Sequence, residues 1–294
     1  MPRAFNAVKP IDGSLMAEFA KVDQHASNLV LGAQVTQQLS DDWQALISAQ
    51  WVHNQREIKD EKNVGVLDSE FKYSVVNPKA GIIYTHDEQR YFANVSASSE
   101  APNFWQLATV EANPNAPLNT YLSVNDLTMQ TASTFEIGTQ QMHHPFNFEL
   151  AYYYSVVNDE LISVVGDFAV NGKTINYQGE TVHQGVEFGV NHLLDALWHS
   201  GDYLSSKLIY NYSDFRFSDG EYAGKHIAGV PTHLIQGELA YSPAPAWRVA
   251  TSVHWQPQHT WVDHLNSESV KQDPYLLLDL KTVYQYNAQL TWFL

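Results

Sequence analysis

The stretch Trp247-Arg248-Val249-Ala250-Thr251-Ser252-Val253-His254-Trp255-Gln256 decides the fold. Its odd positions, Trp247, Val249, Thr251, Val253 and Trp255, form an apolar stripe with an indole at each end. Its even positions, Arg248, Ala250, Ser252, His254 and Gln256, are small or polar. Alternation of period two over ten residues is the pattern of a strand whose two faces meet different solvents. Aromatic rings at both ends of the apolar stripe suit the two edges of a bilayer.

The flanking sequence repeats the pattern, so Leu204 to Leu294 reads as five consecutive strands. Leu208, Tyr210 and Tyr212 oppose Lys207, Asn211 and Ser213, and Ile235, Leu239 and Tyr241 oppose Gln236 and Glu238. Leu276, Leu278, Leu280 and Tyr284 oppose Asp279, Lys281 and Gln285. A last strand is expected over Ala288, Leu290, Trp292 and Leu294 against Gln289 and Thr291, with Phe293 out of place on the polar side.

Composition fits such a sheet. The 294 residues carry a net charge of -16 with only 16 Lys and Arg, which argues against nucleic acid as a partner because phosphate neutralisation needs basic residues. No cysteine is present, which removes disulfides, thiol catalysis and cysteine metal sites together. No apolar run approaches the ~18–20 residues of a membrane helix. A chain of this kind spans a membrane only as a barrel, the other structure that satisfies every backbone group in lipid.

Taken in order, Asn28 to Leu39 and Trp43 to Val52 alternate around the turn Ser40-Asp41-Asp42, and residues 14 to 22 read as an earlier, poorly alternating strand. A polar segment from about Glu57 to Lys72 leads to a strand over Val76 to Tyr84, then to Tyr91 through Ala97. Residues 100 to 131, with Pro102, Pro114 and Pro117, read as a long loop of the functional or disordered kind. Phe135 to Gln140 and Phe146 to Ser155 follow, joined at Met142-His143-His144-Pro145. Residues 158 to 181 read as a hairpin projecting beyond the sheet and turning at Asn171-Gly172. Val186, Phe188 and Val190 then oppose Glu187 and Asn191, returning at about Asp195 to Asp202.

The connections have a regularity of their own. Short ones, at Ser40 to Asp42, Thr85 to Glu88, Met142 to Pro145, Asp195 to Asp202, Ser242 to Ala246 and Tyr286-Asn287, alternate with long ones. Transmembrane barrels keep short turns on the periplasmic side and long loops outside. The reading is therefore an all-β, antiparallel, up-and-down transmembrane barrel with about twelve strands.

These strands carry a resemblance. Asn77-Pro78-Lys79-Ala80-Gly81-Ile82-Ile83-Tyr84, Tyr91-Phe92-Ala93-Asn94-Val95-Ser96 with Glu100 to Phe104, and Thr131 to Gly138 run in order with His183 to Gly189, Tyr212 to Phe215, Gly229 to His233 and Val262-Asp263-His264. Together they resemble the C-terminal half of a TonB-dependent outer-membrane receptor of the ferric siderophore type. The resemblance implies a 22-stranded plugged barrel in the outer membrane of a Gram-negative bacterium. Its partners would be outer-membrane lipid, a ferric siderophore or similar scarce small ligand, and TonB, the last reached only through a plug domain. It further implies that residues 1–294 are a single barrel portion without plug, signal peptide or final strand. Such a piece, with two open edges, is not expected to be a stable functional monomer.

Chemistry is sparse by comparison. The inward charges Glu136, Glu149, Glu187, Glu238 and Asp279, with Lys79, Lys207, Arg248 and Lys281, read as a hydrated wall rather than as catalytic pairs, since they lie on different strands. His143 and His144 read as turn residues, and no histidine spacing is a strong metal signature. Gly220, Gly224 and Gly229 are turn glycines rather than a phosphate loop. The expectation is no catalytic residue, no metal site and no cofactor. Ligand contacts are expected in the long loops at Phe104, Trp105, Arg216, Tyr222, His259, Trp261 and His264, with Lys225 and His226 nearby, a set of rings and cations suited to an anionic aromatic ligand. The competing expectation for each ring is packing of the loop against its neighbours. Two rivals follow from the pattern: a twelve-stranded pore or binding barrel that closes on itself, whose first and last strands must pair, and an outer-membrane hydrolase, which needs a nucleophile on an outward face that is almost wholly apolar.

Overall fold

The computed structural model describes residues 2–8, 15–62, 67–113, 116–164 and 172–294. Its elements are β1 (Pro2–Val8), β2 (Leu15–Gln38), β3 (Trp43–Asp60), β4 (Ser69–His86), β5 (Gln89–Glu100), α1 (Phe104–Leu107), β6 (Ala108–Asn113), β7 (Ala116–Val124), β8 (Gln130–His143) and β9 (Phe146–Asn158). They continue with β10 (Leu161–Val164), β11 (Lys173–Asn176), β12 (Glu180–Asp195), β13 (Tyr203–Phe217), β14 (His233–Ala244), β15 (Trp247–Gln256), β16 (Thr260–Trp261), β17 (Lys271–Gln272), β18 (Tyr275–Gln285) and β19 (Thr291–Phe293).

Thirteen strands form one sheet, in the order β1-β2-β3-β4-β5-β8-β9-β12-β13-β14-β15-β18-β19, each pairing antiparallel with the next. No ladder joins the two ends among the described residues, so the closure required of a self-contained pore is not made. No helix is long and apolar enough to cross a membrane, a statement that does not bear on strands.

The two faces follow the alternation. Val35 and Ile47 are each 67% exposed and Leu280 is 76% exposed on the outward face, whereas inward Ala240 and Ala250 are buried. Large apolar side chains turned outward at this density need hydrocarbon rather than water around them. Aromatic rings bound the band. At the short-turn end Trp43 lies 4.8 Å from Tyr84, which lies 6.1 Å from Tyr91, with Trp247 and Tyr284 farther round. Trp51 and Trp255 mark the other edge. Eight residues at ~3.3 Å each, in strands tilted ~35–45°, place the two rings about 20 Å apart along the normal, close to the ~25 Å apolar band of such barrels.

Neighbouring short turns are tied to one another. Thr85 N donates to Asp42 O at 2.8 Å, Leu193 N to Pro145 O at 2.9 Å and Gln285 N to Ala246 O at 2.8 Å. His143 pairs with Glu88, and His144 lies 3.6 Å from Asp195, so these two are turn residues with partners in the adjacent turn.

Several boundaries differ from the sequence reading. Residues 14 to 22 are not a separate strand; from Leu15 on they continue into β2, which is 24 residues long and pairs at its far end with β1, a strand the alternation did not reveal. The polar segment from Glu57 to Lys72 is strand at both its ends, since β3 runs to Asp60 and β4 begins at Ser69. Beyond Trp51 both faces leave hydrocarbon, and the period-two signal fades while the hydrogen-bond ladder continues. At the other end β19 is only Thr291–Phe293. Ala288 and Leu290 belong to the turn, because the Asn287 carboxamide oxygen accepts from Gln289 N and Leu290 N, both at 2.9 Å.

The long loop over residues 100–131 contains α1 and the β6–β7 hairpin. The β4–β5 ladder stops at Lys79 and Ser96, next to Pro78, which has no N–H to give, while β5 stays paired with β8 as far as Glu100, where the loop leaves the sheet. From there it folds onto the inward face of the upper strands. Leu107, Leu122 and Leu127 pack on Val22 and Ile58, and the Tyr73 hydroxyl donates to Leu127 O at 2.9 Å. A second core joins Ile162, Tyr177, Phe217 and Ile227. The β10–β11 hairpin links the two, with Leu161 against the first and Ile162 in the second. Of its expected turn, Asn171 lies outside the described residues, while Gly172 has the positive φ of +85° that glycine adopts freely.

Candidate functional site

The two loop cores enclose concave space at the long-loop end. A cavity of about 900 Å³ opens between β10, the loop after β13 and the loop between β16 and β17. Its walls are Leu161, Ile162 and Ile227 on the apolar side, with Glu160, Tyr222, Asp263 and His264 as polar groups. Van der Waals walls with a few converging polar groups are the usual make-up of a small-molecule site.

Two of the seven residues expected from sequence line this cavity. Tyr222 stacks on Tyr177 at 5.7 Å and meets His264 at 5.8 Å, while His264 stands edge-on to Phe217 at 5.3 Å. The Nδ1 atom of His264 accepts from Ala228 N at 3.2 Å, which puts the ring proton on Nε2 when the imidazole is neutral. Burial holds the His264 pKa below its ordinary value, and burial followed by the Arg216 charge does the same for His226. Backbone and hydroxyl donation from Ser267 lowers the pKa of Asp263, whose Oδ1 accepts Ser267 N at 2.9 Å. At neutral pH the imidazoles are therefore uncharged and the carboxylate is ionised.

The other five are dispersed. His259 and Trp261 form an edge-to-face pair at 4.6 Å, with Lys271 Nζ 5.8 Å from the indole and also bonded to Glu268 at 2.8 Å. Trp261 O accepts Gly229 N at 2.8 Å, so this pair is held beside the cavity through the backbone. Arg216 is on the outward face of β13, with its Nε donating to Asp214 Oδ1 at 2.5 Å, and does not line the cavity. Phe104 packs in the first core, where the packing reading holds, and Trp105 is 73% exposed on α1.

A group the sequence reading passed over stands at the cavity's inner edge. Glu160 is 9% exposed and accepts a short hydrogen bond from the fully buried Thr181 hydroxyl; its Oε1 is 3.3 Å from His183 Nε2. His183 in turn stacks on Phe215 at 4.2 Å, ring planes 6° apart. Thr181 and His183 sit two apart on one strand and so share a face, a signal visible in sequence. Their meeting with Glu160 depends on the loop and was not.

Lower on the inward wall, Lys207, Glu238, Ser252, His254 and Asp279 line a depression of about 300 Å³, and Arg248 bonds to Glu238 at 2.8 Å. These charges compensate one another across strands, as expected of a hydrated wall. Among the described residues no group of three or more His, Cys, Asp or Glu is placed to hold a metal ion.

Solved structures share this fold, three of them as follows. The ferric yersiniabactin uptake receptor of Yersinia pestis superposes with a TM-score of 0.66 at 16% identity, covering 93% of this chain and 41% of its own. A ferric citrate transporter gives 0.71 at 14% identity, covering 95% and 41%, and a copper transporter 0.71 at 11%, covering 96% and 43%. The chain thus spans about two fifths of the length of these structures. No curated protein matches its sequence. The family model for the TonB dependent receptor-like β-barrel matches residues 3–294, and the chain belongs to that family.

Proposed function

We propose that the native protein containing this barrel portion takes up a scarce metal complex, a ferric siderophore or comparable small chelate, across the outer membrane of a Gram-negative cell. The observation that carries the reading is a cavity of about 900 Å³ held by loop cores at the long-loop end of a family barrel. The long-loop end faces outside in this reading and the tied short turns face the periplasm. Outer-membrane lipid covers the apolar face, and energy reaches the ligand through TonB acting on a plug domain, as the family implies. Tyr222 and His264 contact the ligand directly, with His259 and Trp261 at the entrance. The similar structures named above handle two ferric complexes and copper, which agrees with a metal-bearing cargo. A role as receptor and transporter needs no catalytic group.

The test is uptake of radiolabelled iron or copper, offered as a panel of chelates, in the native organism with the gene intact, deleted and restored. Loss of accumulation of at least one complex on deletion, recovered on restoration and abolished without TonB, is expected. Unchanged uptake of every complex overturns the proposal.

A further inference from the structure

We propose that the loop cavity selects a neutral or cationic ligand and discriminates against an anionic one. This rests on the receptor reading above and assigns the charge class of its ligand. Among the described residues, the polar side chains lining the cavity are two carboxylates, Glu160 and Asp263, one imidazole, His264, and the Ser163 and Tyr222 hydroxyls, and no lysine or arginine lines it. Of the cations nearby, Lys225 is exposed on the loop after β13 and does not line the cavity, and the other two are engaged elsewhere. Arg216 is on the outward face of its strand, bonded to Asp214, and Lys271 is bonded to Glu268. The imidazoles offer no compensation at neutral pH, because burial keeps His264 and His226 uncharged. Asp263 stays ionised, held by the Ser267 amide.

The rings of the second core thus present themselves without the positive partner that an anionic aromatic ligand would need. Glu160 is already satisfied by Thr181 and His183, leaving Asp263 as the charge a ligand meets. Lining the same cavity as Leu161, Ile162 and Ile227, this carboxylate repels a like charge brought into it.

The experiment uses one chelate in three charge states: a linear ferric trihydroxamate ending in an ammonium, the same chelate acetylated to neutrality, and the same chelate succinylated to an anion. Ferric citrate and a ferric tris-catecholate extend the anionic side. Equilibrium binding is measured on outer membranes from cells expressing the native gene, against membranes from a deletion strain. The cationic and neutral forms are expected to bind about tenfold or more tighter than the succinylated form. Asp263→Asn, which keeps the oxygen that accepts the Ser267 amide, is expected to narrow the gap to about threefold or less. Unchanged hydrogen-exchange protection at the Ile227 amide, which donates to Phe215 O at 2.9 Å, shows that the variant is folded. Equal or tighter binding of the anionic forms, including binding of citrate or catecholate complexes alone, overturns the charge assignment and leaves the receptor reading standing. Binding of no complex of either sign overturns the receptor reading, and the charge assignment with it.

Discussion

Replacing Phe217 by alanine should melt the outer loop core and leave the membrane sheet intact. Phe217 is 1% exposed at the end of β13, with Tyr177 at 4.6 Å, Tyr222 at 5.2 Å and His264 at 5.3 Å between ring centroids. Truncating a fully buried phenylalanine costs about 3–5 kcal/mol from transfer and cavity together. The aromatic contacts place this case toward the upper part of that range. At about 1.4 kcal/mol per tenfold, a loss near 4 kcal/mol accelerates local opening roughly a thousandfold. Hydrogen exchange on the native protein in lipid reads this at the amides that bind the ring's segment in place. These are Phe217 N to Lys225 O at 3.0 Å, Gly224 N to Phe217 O at 2.8 Å and Ile227 N to Phe215 O at 2.9 Å. They should lose protection while β14 and β15 keep theirs. Unchanged exchange at those three amides, or an equal loss throughout the sheet, would refute a loop core that opens independently of the strands.

Other outcomes follow from single positions. A Cβ at Gly185 would strike the Tyr212 carbonyl and lie 2.5 Å from the Tyr153 hydroxyl, whereas a Cβ at Gly189 meets nothing within 4 Å. Gly185→Ala should therefore cost about 1–3 kcal/mol and Gly189→Ala almost nothing, measured by denaturant unfolding in lipid vesicles. Leu280 pairs with Thr251, midway between the two indoles of β15, so Leu280→Arg should cost about 2–4 kcal/mol in the same assay. A result near zero there would place this face outside hydrocarbon. Lowering the pH should loosen the loop core before it affects the sheet. The folded pKa values of His226 and His264 lie below the ordinary 6.5, so their stabilising effect is complete above pH 6.5. It declines as pH falls below 6.5 toward the folded values, where the open state binds more protons. Protection at the Ile227 amide, corrected for the intrinsic pH dependence of exchange, should fall as the pH is lowered from 7.5 to 5.5, and a flat profile would count against it.

The strands that cross hydrocarbon were legible because each carries its own record. In β15 the sequence alternates lipid and water side chains for ten residues and ends in a ring at both edges, β9 does the same, and β13 and β18 keep the alternation with rings at one edge. Beyond Trp51 the same ladder runs on to Asp60, but with water or loop on either face the alternation no longer encodes it. The turn at Asn287 misled for a related reason. Apolar residues at Ala288 and Leu290 kept the period, while a side-chain cap took their backbone out of the strand.

The candidate site was legible only by residue type. In sequence His264 and Tyr222 read as loop residues with suitable chemistry, and so do Phe104 and Arg216, yet the first two share a cavity while Phe104 is core on α1 and Arg216 is on the outward face of β13. Nothing local separates these cases, because the packing partners lie far apart in sequence: Val22 with Leu122, Ile162 with Phe217, Glu160 with Thr181 and His183. By itself the sequence determined the sheet, its two faces and its two ends, since solvent acts on each strand independently with a period of two. Tertiary structure alone decided which loops fold inward, which rings become core and which charges face the cavity, since those depend on where a long connection comes to rest against strands remote from it in the chain.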